Sequence, residues 1–227
     1  MQSQDASTAF LLKLWPWIEA NKNRVIVGSG IVLVAIFLYY FFSWQREQHE
    51  IAAGEALTQV TLSLPANANA GQLAGAYLKI AGEYPGTLSG RRAWLQGAAA
   101  LFEAGKFADA QAQFQKFLDA HPDGDFSASA ALGVAASLEA LGKWDLASIA
   151  YQRVINGFSD AVAANAAKLA LGGIDEQQGK FGDALNLYES IAQLSPGSLL
   201  AQEAGMHALE LRTKSASATP AAGKPWP

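Results

Sequence analysis

One phrase occurs three times in this sequence at a constant interval. The segments GKFADAQAQF, GKWDLASIAY and GKFGDALNLY begin at residues 105, 142 and 179, so each starts 37 residues after the previous one. Each opens with Gly-Lys-aromatic, carries alanine at its sixth position and ends in an aromatic residue. A fixed period of about 20 to 50 residues is the signature of a fold built from stacked structural units. The repeat therefore restricts most of the chain to a repetitive architecture.

Each copy of the phrase predicts the join between two helices. Its glycine should end the first helix in the left-handed conformation, where glycine has no Cβ penalty. Its alanine should lie at the closest helix crossing, with bulky aromatic residues filling the gaps on either side. The glycines are Gly105, Gly142 and Gly179, and the alanines are Ala110, Ala147 and Ala184. The aromatic residues are Phe107, Trp144 and Phe181 near the start and Phe114, Tyr151 and Tyr188 at the end. The phrase is thus predicted to serve packing and not chemistry.

A first helix is predicted upstream of each glycine. Apolar residues recur there at spacings of three, four and seven, as on one helix face. They are Trp94, Leu101, Val134, Leu138, Leu171 and Gly172. Downstream, Pro122 and Pro196 close two of the units, and Ser159 stands at the equivalent place in the third. Each unit therefore consists of a helix, a turn and a second helix.

These residues resemble the tetratricopeptide repeat, a pair of antiparallel helices normally about 34 residues long. The resemblance implies an all-α fold, a helical-hairpin solenoid of about four 37-residue repeats followed by a capping helix. The predicted units are 54–87, 91–124, 128–161 and 165–198, and the predicted cap is 201–213. The first unit is degenerate, because Leu73 stands where the small alanine is expected. The regular extra length of three residues indicates longer turns between units.

An apolar run precedes the repeats. Residues 25–44, VIVGSGIVLVAIFLYYFFSW, contain no charged side chain, and a helix of about 20 residues spans the roughly 30 Å hydrocarbon core of a bilayer. The run ends in bulky aromatic residues and not in the small-residue site of a cleaved signal peptide, so we expect a retained transmembrane helix. That leaves residues 1–24 as a lead segment, 45–213 as the repeat domain and 214–227 as a disordered tail.

The flanking charges predict the orientation of this span. Lys13, Lys22 and Arg24 precede it, whereas Arg46 is the one nearby basic residue after it. Because positive charges remain on the cytoplasmic side, we expect a cytoplasmic N-terminus. In a bacterium with two membranes, the repeats would lie in the periplasm and the protein would be a single-pass inner-membrane protein. The lead segment is expected either as an interfacial amphipathic helix or as an ordinary flanking peptide.

Composition and motifs argue against several function classes. The net charge is −4, from 16 basic and 20 acidic residues, so nucleic-acid binding is not expected. No cysteine occurs, so disulfides and cysteine-bound zinc are not expected either. The three histidines lie far apart, and Gly-Lys lacks the remaining residues of a phosphate-binding loop. Adjacent carboxylates such as Asp175 and Glu176 are expected at solvated helix ends. We therefore predict no enzyme, no catalytic residue, no metal site and no cofactor.

The resemblance also implies where a partner would bind. In the repeat family, the second, fifth, ninth and twelfth positions of each first helix face a concave groove. Here they are Arg92, Leu95, Ala99 and Phe102, then Ser129, Leu132, Ala136 and Glu139, then Ala166, Leu169, Gly173 and Glu176. The predicted protein-binding residues among them are Arg92, Leu95, Phe102, Leu132, Glu139, Leu169 and Glu176. An apolar strip flanked by acid suits an amphipathic helix or an unfolded apolar segment. Alternatively, the lead-in helix or the cap of the same molecule fills the groove.

The order of lead, span and repeats resembles the YfgM-like ancillary subunit family of the SecYEG translocon. That resemblance implies a protein beside the protein-conducting channel that helps newly exported chains. Its partners would be translocon subunits, a membrane-anchored periplasmic chaperone and exported client chains, with the lipid bilayer contacted through residues 25–44. The residues alone imply a stacked-helix binding surface, so a scaffold for another envelope assembly, for secretion, division or outer-membrane biogenesis, is the alternative.

Overall fold

The computed structural model describes residues 19–63, 69–158, 161–194 and 197–218. Within these ranges the chain forms nine α-helices and no strand, so the predicted all-α fold is confirmed there. The helices are α1 Lys22–Ser63, α2 Ala70–Glu83, α3 Leu88–Glu103, α4 Phe107–Ala120, α5 Ser127–Ala140, α6 Trp144–Gly157, α7 Ala161–Gln177, α8 Phe181–Leu194 and α9 Leu199–Ala218. Several predicted features lie outside the described residues. They are most of the lead segment, the repeat-closing residues Ser159 and Pro196, and residues 219–227 of the tail.

The chain divides into two compact units, Met1–Ala52 and Ala53–Pro227. The first contains the predicted span. Within the described part of the chain, α1 is the one helix long and apolar enough to cross a membrane, with a mean hydropathy of 2.4 over its most apolar window and none of that window buried. A core helix of a water-soluble domain would be mostly buried. By length and composition, this segment therefore fits either a membrane span or a signal sequence.

The second unit is a stack of helical hairpins. Each helix from α2 to α9 packs on the next one along the chain. The hairpins α3–α4, α5–α6 and α7–α8 correspond to the three clear repeats of the sequence. Ahead of them, Ala56, Leu57 and Val60 near the end of α1 pack against a small cluster formed by Ile80, Ala81 and Ala93. In α2, Ala74 is fully buried, whereas Leu73, at the position where the repeat predicts a small residue, is half buried.

The turn inside each hairpin has the conformation that its glycine predicts. The φ angles of Gly105, Gly142 and Gly179 are 74°, 71° and 75°. The lysine after each glycine donates its backbone N–H to a carbonyl five residues earlier, as Lys106 does to Leu101 at 2.9 Å. This bond closes the last turn of the first helix, in the pattern that a left-handed glycine permits. The same lysine then precedes the first residue of the second helix, so Gly-Lys both ends one helix and starts the next.

The helix crossings are built from the predicted small residues. Ala110, Ala147 and Ala184 have no exposed surface, which confirms their predicted position. Two glycines in the facing first helices allow a still closer approach. A Cβ on Gly133 would lie 2.6 Å from the ring of Phe114, and one on Gly172 would lie 2.6 Å from the ring of Tyr188. The aromatic residues that end the first and third phrases therefore pack against backbone.

Two features differ from the sequence prediction. Trp144 and Phe181 were expected to fill gaps beside the crossing, but 39% and 54% of their surfaces are exposed. Each is the first residue of its helix and lies at the end of the hairpin. Phe107, at the same place in the first clear unit, is partly covered because its ring meets that of Phe102 with centroids 5.0 Å apart. The last helix also ends later than predicted, because α9 continues past residue 213 to Ala218.

Candidate functional site

The two sides of the hairpin stack differ in how closely their helices pack. The first helices touch their counterparts in the next unit, α3 with α5, α5 with α7, and α7 with the cap α9. The second helices α4, α6 and α8 make no such contacts with one another in the described chain. The first helices therefore lie on the narrower, inner side of the stack. The predicted groove residues all belong to α3, α5 and α7.

The leucines that recur at the fifth position are half buried. Leu95 and Leu132 pack against the large buried cluster of α3 to α7. Leu169 packs against a second cluster that joins α8 to the cap helix. Each leucine thus contributes to the core with part of its surface and leaves the rest accessible. Their predicted role in binding a partner stays a prediction.

The other groove positions differ in exposure. Arg92, Ala99 and Ser129 are exposed, whereas Ala136, Ala166 and Gly173 are partly covered. A Cβ at Gly173 would meet nothing within 4 Å, so there is open space above this part of α7. The inner surface is therefore accessible between the leucines.

Three of the predicted groove residues meet around one cavity. Phe102 of α3 and Ala136 and Glu139 of α5 line a space of about 450 Å³. Trp144, at the start of α6, lines the same cavity. The cavity thus combines two aromatic rings with a carboxylate. Trp144 was not predicted as a groove residue, because the repeated phrase indicated a packing role for it.

Buried tyrosines hold the two groove carboxylates in place. Tyr151 donates its hydroxyl to Glu139 Oε2 at 2.5 Å, and Tyr188 donates to Glu176 Oε2 at 3.1 Å. Burial raises the pKa of both tyrosines well above the ordinary value, and the neighbouring glutamates raise it further. Each phenol therefore remains a donor at neutral pH, and each carboxylate is fixed as an acceptor. In the preceding unit Phe102 and Phe114 occupy the equivalent positions.

The cap helix brings a histidine to the last of these pairs. The ring of His207 stacks on Tyr188, with centroids 5.0 Å apart and planes 24° apart. Its Nδ1 lies 3.9 Å from Glu176 Oε2, so a protonated His207 would form an ion pair with this carboxylate. Sequence reasoning missed this contact. The 37-residue period offered one signal for it. Extended by one more step, the period places the cap where the first helix of a further unit would lie, against α7 and α8.

Glu176 and its neighbour Asp175 differ in burial from the expectation of solvated carboxylates. Asp175 is only 9% exposed, and Glu176 is partly covered. Both lie in the last turn of α7, which ends at Gln177, so their predicted place at a helix end is correct and only their burial differs. Asp175 stands four residues after Leu171 and so shares the buried face of α7. Among the described residues no group of three or more His, Cys, Asp or Glu side chains is arranged to hold a metal ion.

Comparison with known proteins gives one family and a related fold. The profile of the tetratricopeptide repeat-like domain family matches residues 16–148. One similar crystal structure is titled "Podosopora anserina putative kinesin light chain nearly identical TPR-like repeats". Its TM-score is 0.51 and its identity 14%, over 78% of this chain and 88% of that chain. The crystal structure of BtubC (BKLC) from P. vanneervenii has a TM-score of 0.49 and 12% identity, over 80% of this chain and 96% of that chain. No curated protein matches this sequence. At such low identity the first structural likeness shows the fold alone, which is the predicted helical-repeat solenoid.

Proposed function

The chain belongs to the tetratricopeptide repeat-like domain family, and we propose from this premise that it is a protein-binding module whose inner surface holds a segment of a partner. Such repeats suggest a protein–protein interaction module. The observation that carries the proposal is the cavity at which Phe102, Ala136, Glu139 and Trp144 meet. Its residues come from two successive units, so a bound segment would contact both. A binding role without catalysis is the function that these side chains support best.

The partner segment that fits this surface is apolar with basic residues. The leucines of α3, α5 and α7 offer apolar area, while Glu139 and Glu176 present carboxylates beside it. An aromatic ring next to a carboxylate favours a cation, because both the ring face and the charge attract it. An amphipathic helix or an unfolded segment with lysine or arginine would match this arrangement.

We further propose that residues 25–44 anchor the module in the bacterial inner membrane, with the N-terminus in the cytoplasm and the repeats in the periplasm. The exposed apolar surface of this part of α1 supports a span, and the flanking charges support the orientation. A reporter that is active only in the periplasm, fused after residue 227, should be active. A reporter that is active only in the cytoplasm should give no signal at that position. The reverse pattern would refute the orientation.

The finer proposal is that the protein is an accessory factor of the Sec translocon that assists periplasmic chaperoning. It is supported by the order of anchor and repeats, which is a resemblance of architecture. Isolation of the full-length protein in mild detergent, with identification of the bound proteins, tests it. Translocon subunits and a membrane-anchored chaperone are expected. Recovery of only secretion, division or outer-membrane biogenesis components would favour the alternative scaffold.

A substitution at Trp144 tests the inner surface itself. Trp144→Ala removes an exposed ring from the cavity and should weaken partner recovery while leaving the fold intact. Phe181→Ala is the matched control, because Phe181 holds the same repeat position and does not line this cavity. Equal recovery with both variants would place the binding surface elsewhere. Circular dichroism of both variants checks that a loss of recovery does not arise from unfolding.

A further inference from the structure

The repeat pattern breaks at one buried position. Leu101 of α3 and Leu138 of α5 occupy the place that Asp175 occupies in α7, at the same step of 37 residues. Leu138 and Asp175 are almost equally buried, at 7% and 9% exposure. A carboxylate costs far more to bury than a leucine. Helix packing alone therefore does not account for Asp175.

The charges around Asp175 do not offset its burial. Lys180 Nζ lies 3.7 Å from Asp175 Oδ1, and the lysine side chain is more than half exposed. Burial raises the pKa of Asp175, Lys180 lowers it, and the nearby Asp183 raises it again, with a net shift upward. Lys180 is thus the cation paired with Asp175, and Asp183 adds a second negative charge nearby. A further positive charge at this site would be stabilised.

Asp175 lines a cavity of about 510 Å³ between α6, α7 and α8. The polar lining includes Ser148, Asp175 and Asp183, and the apolar lining includes Ile149, Leu171 and Leu187. The helices α6 and α8 are second helices, which do not touch each other in the described chain. The cavity therefore lies on the outer side of the stack, apart from the inner groove.

Ser148 is a second unusual group in this cavity. Its Oγ is buried and has no hydrogen-bond partner among the described residues. Buried hydroxyl groups are nearly always hydrogen-bonded, because the unpaired group is destabilising. Ser148 borders the cavity, and a donor that reached its Oγ would satisfy this oxygen. Ser148 and Asp175 belong to different helices and are two separate observations on this cavity. The hydroxyl can donate or accept, and the carboxylate sets the preference for a cation.

We propose that this cavity binds a primary alkylammonium group, such as the end of a lysine side chain. An ammonium group has three donors and no acceptor, which matches two carboxylates and a hydroxyl oxygen. The apolar walls match the aliphatic stem that carries the ammonium group. The proposal does not depend on the inner groove, because it concerns different residues on the other side of the stack.

A chemical-shift titration of the full-length protein in detergent micelles tests the proposal. The probe is Nα-acetyl-lysine N-methylamide, and the reporters are the side-chain amides of Gln152 and Asn186, which also line the cavity. Saturable shifts are expected. The norleucine analogue, which lacks the ammonium group, should cause none. Equal shifts from the norleucine analogue or from the same concentration of sodium chloride would overturn the proposal.

A second arm distinguishes the source of the amine. Titration with 1,5-diaminopentane presents the same ammonium group without a peptide backbone. Tighter binding of the lysine compound supports a lysine of a partner protein, and tighter binding of the diamine supports a free polyamine. If neither compound binds, the proposal is wrong.

Three variants connect the binding to the named carboxylates. Asp175→Leu installs the residue of the sister repeats and should weaken binding of the probe about ten- to hundredfold. Asp183→Asn alters only an exposed side chain and should weaken binding in the same direction, so it keeps the test decisive if Asp175→Leu fails to fold. Asp109→Asn is the matched control, because Asp109 holds the same repeat position as Asp183 beside Leu101, and it should bind the probe like the parent. Undiminished binding by Asp183→Asn and Asp175→Leu would contradict the assignment.

Discussion

Two neighbouring glycines of α7 provide a matched test of the helix crossing. Gly173→Ala places a methyl group where nothing lies within 4 Å. Since alanine favours a helix interior over glycine by roughly 0.5–1 kcal/mol, this variant should be slightly more stable than the parent. Gly172→Ala makes the same chemical change one residue earlier. Its methyl group would lie 2.6 Å from Cε1 and 2.9 Å from Cζ of Tyr188, well inside the ordinary carbon contact of about 3.5–4.0 Å.

The ring of Tyr188 has little freedom to move away. It is 1% exposed, its hydroxyl is bonded to Glu176, and His207 stacks on its face. The helices α7 and α8 must therefore separate, and overpacking of this kind costs about 1–3 kcal/mol. Because both variants gain the same helix propensity, this cost is the expected difference between them. For a domain of this size it corresponds to a melting temperature about 2–12 °C lower for Gly172→Ala than for Gly173→Ala.

Thermal unfolding of the full chain, followed by far-ultraviolet circular dichroism, measures this difference. A smaller residue at position 188 tests whether contact with the tyrosine ring causes the loss of stability. In a Tyr188→Leu background, Gly172→Ala should cost less than in the parent, and the double-mutant cycle gives the coupling. Equal melting temperatures for the two alanine variants would show that α7 and α8 do not approach as closely as the structure indicates.

Four further substitutions test other features of the solenoid. Ala147→Leu forces volume into a fully buried crossing and should cost about 1–3 kcal/mol in urea unfolding, whereas Lys143→Ala on the exposed turn should change stability by less than about 0.5 kcal/mol. Tyr151 binds its proton more tightly in the folded state than in the unfolded chain, so stability should fall as the pH rises above the ordinary value of 10.0, and Tyr151→Phe should reduce this loss in melting scans. Asp175, whose folded pKa is raised above the ordinary 3.8 by burial first, destabilises the fold when ionised. Asp175→Asn should therefore stabilise the protein at neutral pH, and the advantage should shrink as the pH falls through the pKa of the folded protein; an advantage that grows on acidification would contradict the sign.

The sequence predicted the turns and the crossings because a single residue type decides each of them. A left-handed turn after a helix requires a residue such as Gly142, and a close crossing requires one such as Ala147. These positions recur in all three clear units, so the period alone located them. The same period assigned a packing role to Trp144 and was wrong there, because exposure depends on whether a neighbouring helix covers the start of α6.

Contacts between units were harder to predict than contacts within them. The stacking of His207 on Tyr188 joins the cap to the last hairpin, and no repeated residue marks it in the sequence. The cavity beside Asp175 likewise needs α6, α7 and α8 together. The 37-residue step does place Asp175 in register with Leu138, so the substitution was visible as a departure from the repeat. Its burial followed only from the structure, because Asp175 lies in the last turn of α7, where α6 and α8 border the cavity beside it.

The inner surface changes character along the stack, and this change bears on how a segment would lie in it. The first clear unit carries Phe102 where the next two carry Glu139 and Glu176, and His207 of the cap lies beside the last of these. A bound segment would therefore meet an apolar end and an acidic end. Since a basic group is stabilised near fixed carboxylates and an apolar group near a phenylalanine ring, only one direction of an asymmetric segment satisfies both. The proposed groove should consequently select the orientation of its partner as well as its composition, and reversing the order of apolar and basic residues in a bound segment should weaken its binding.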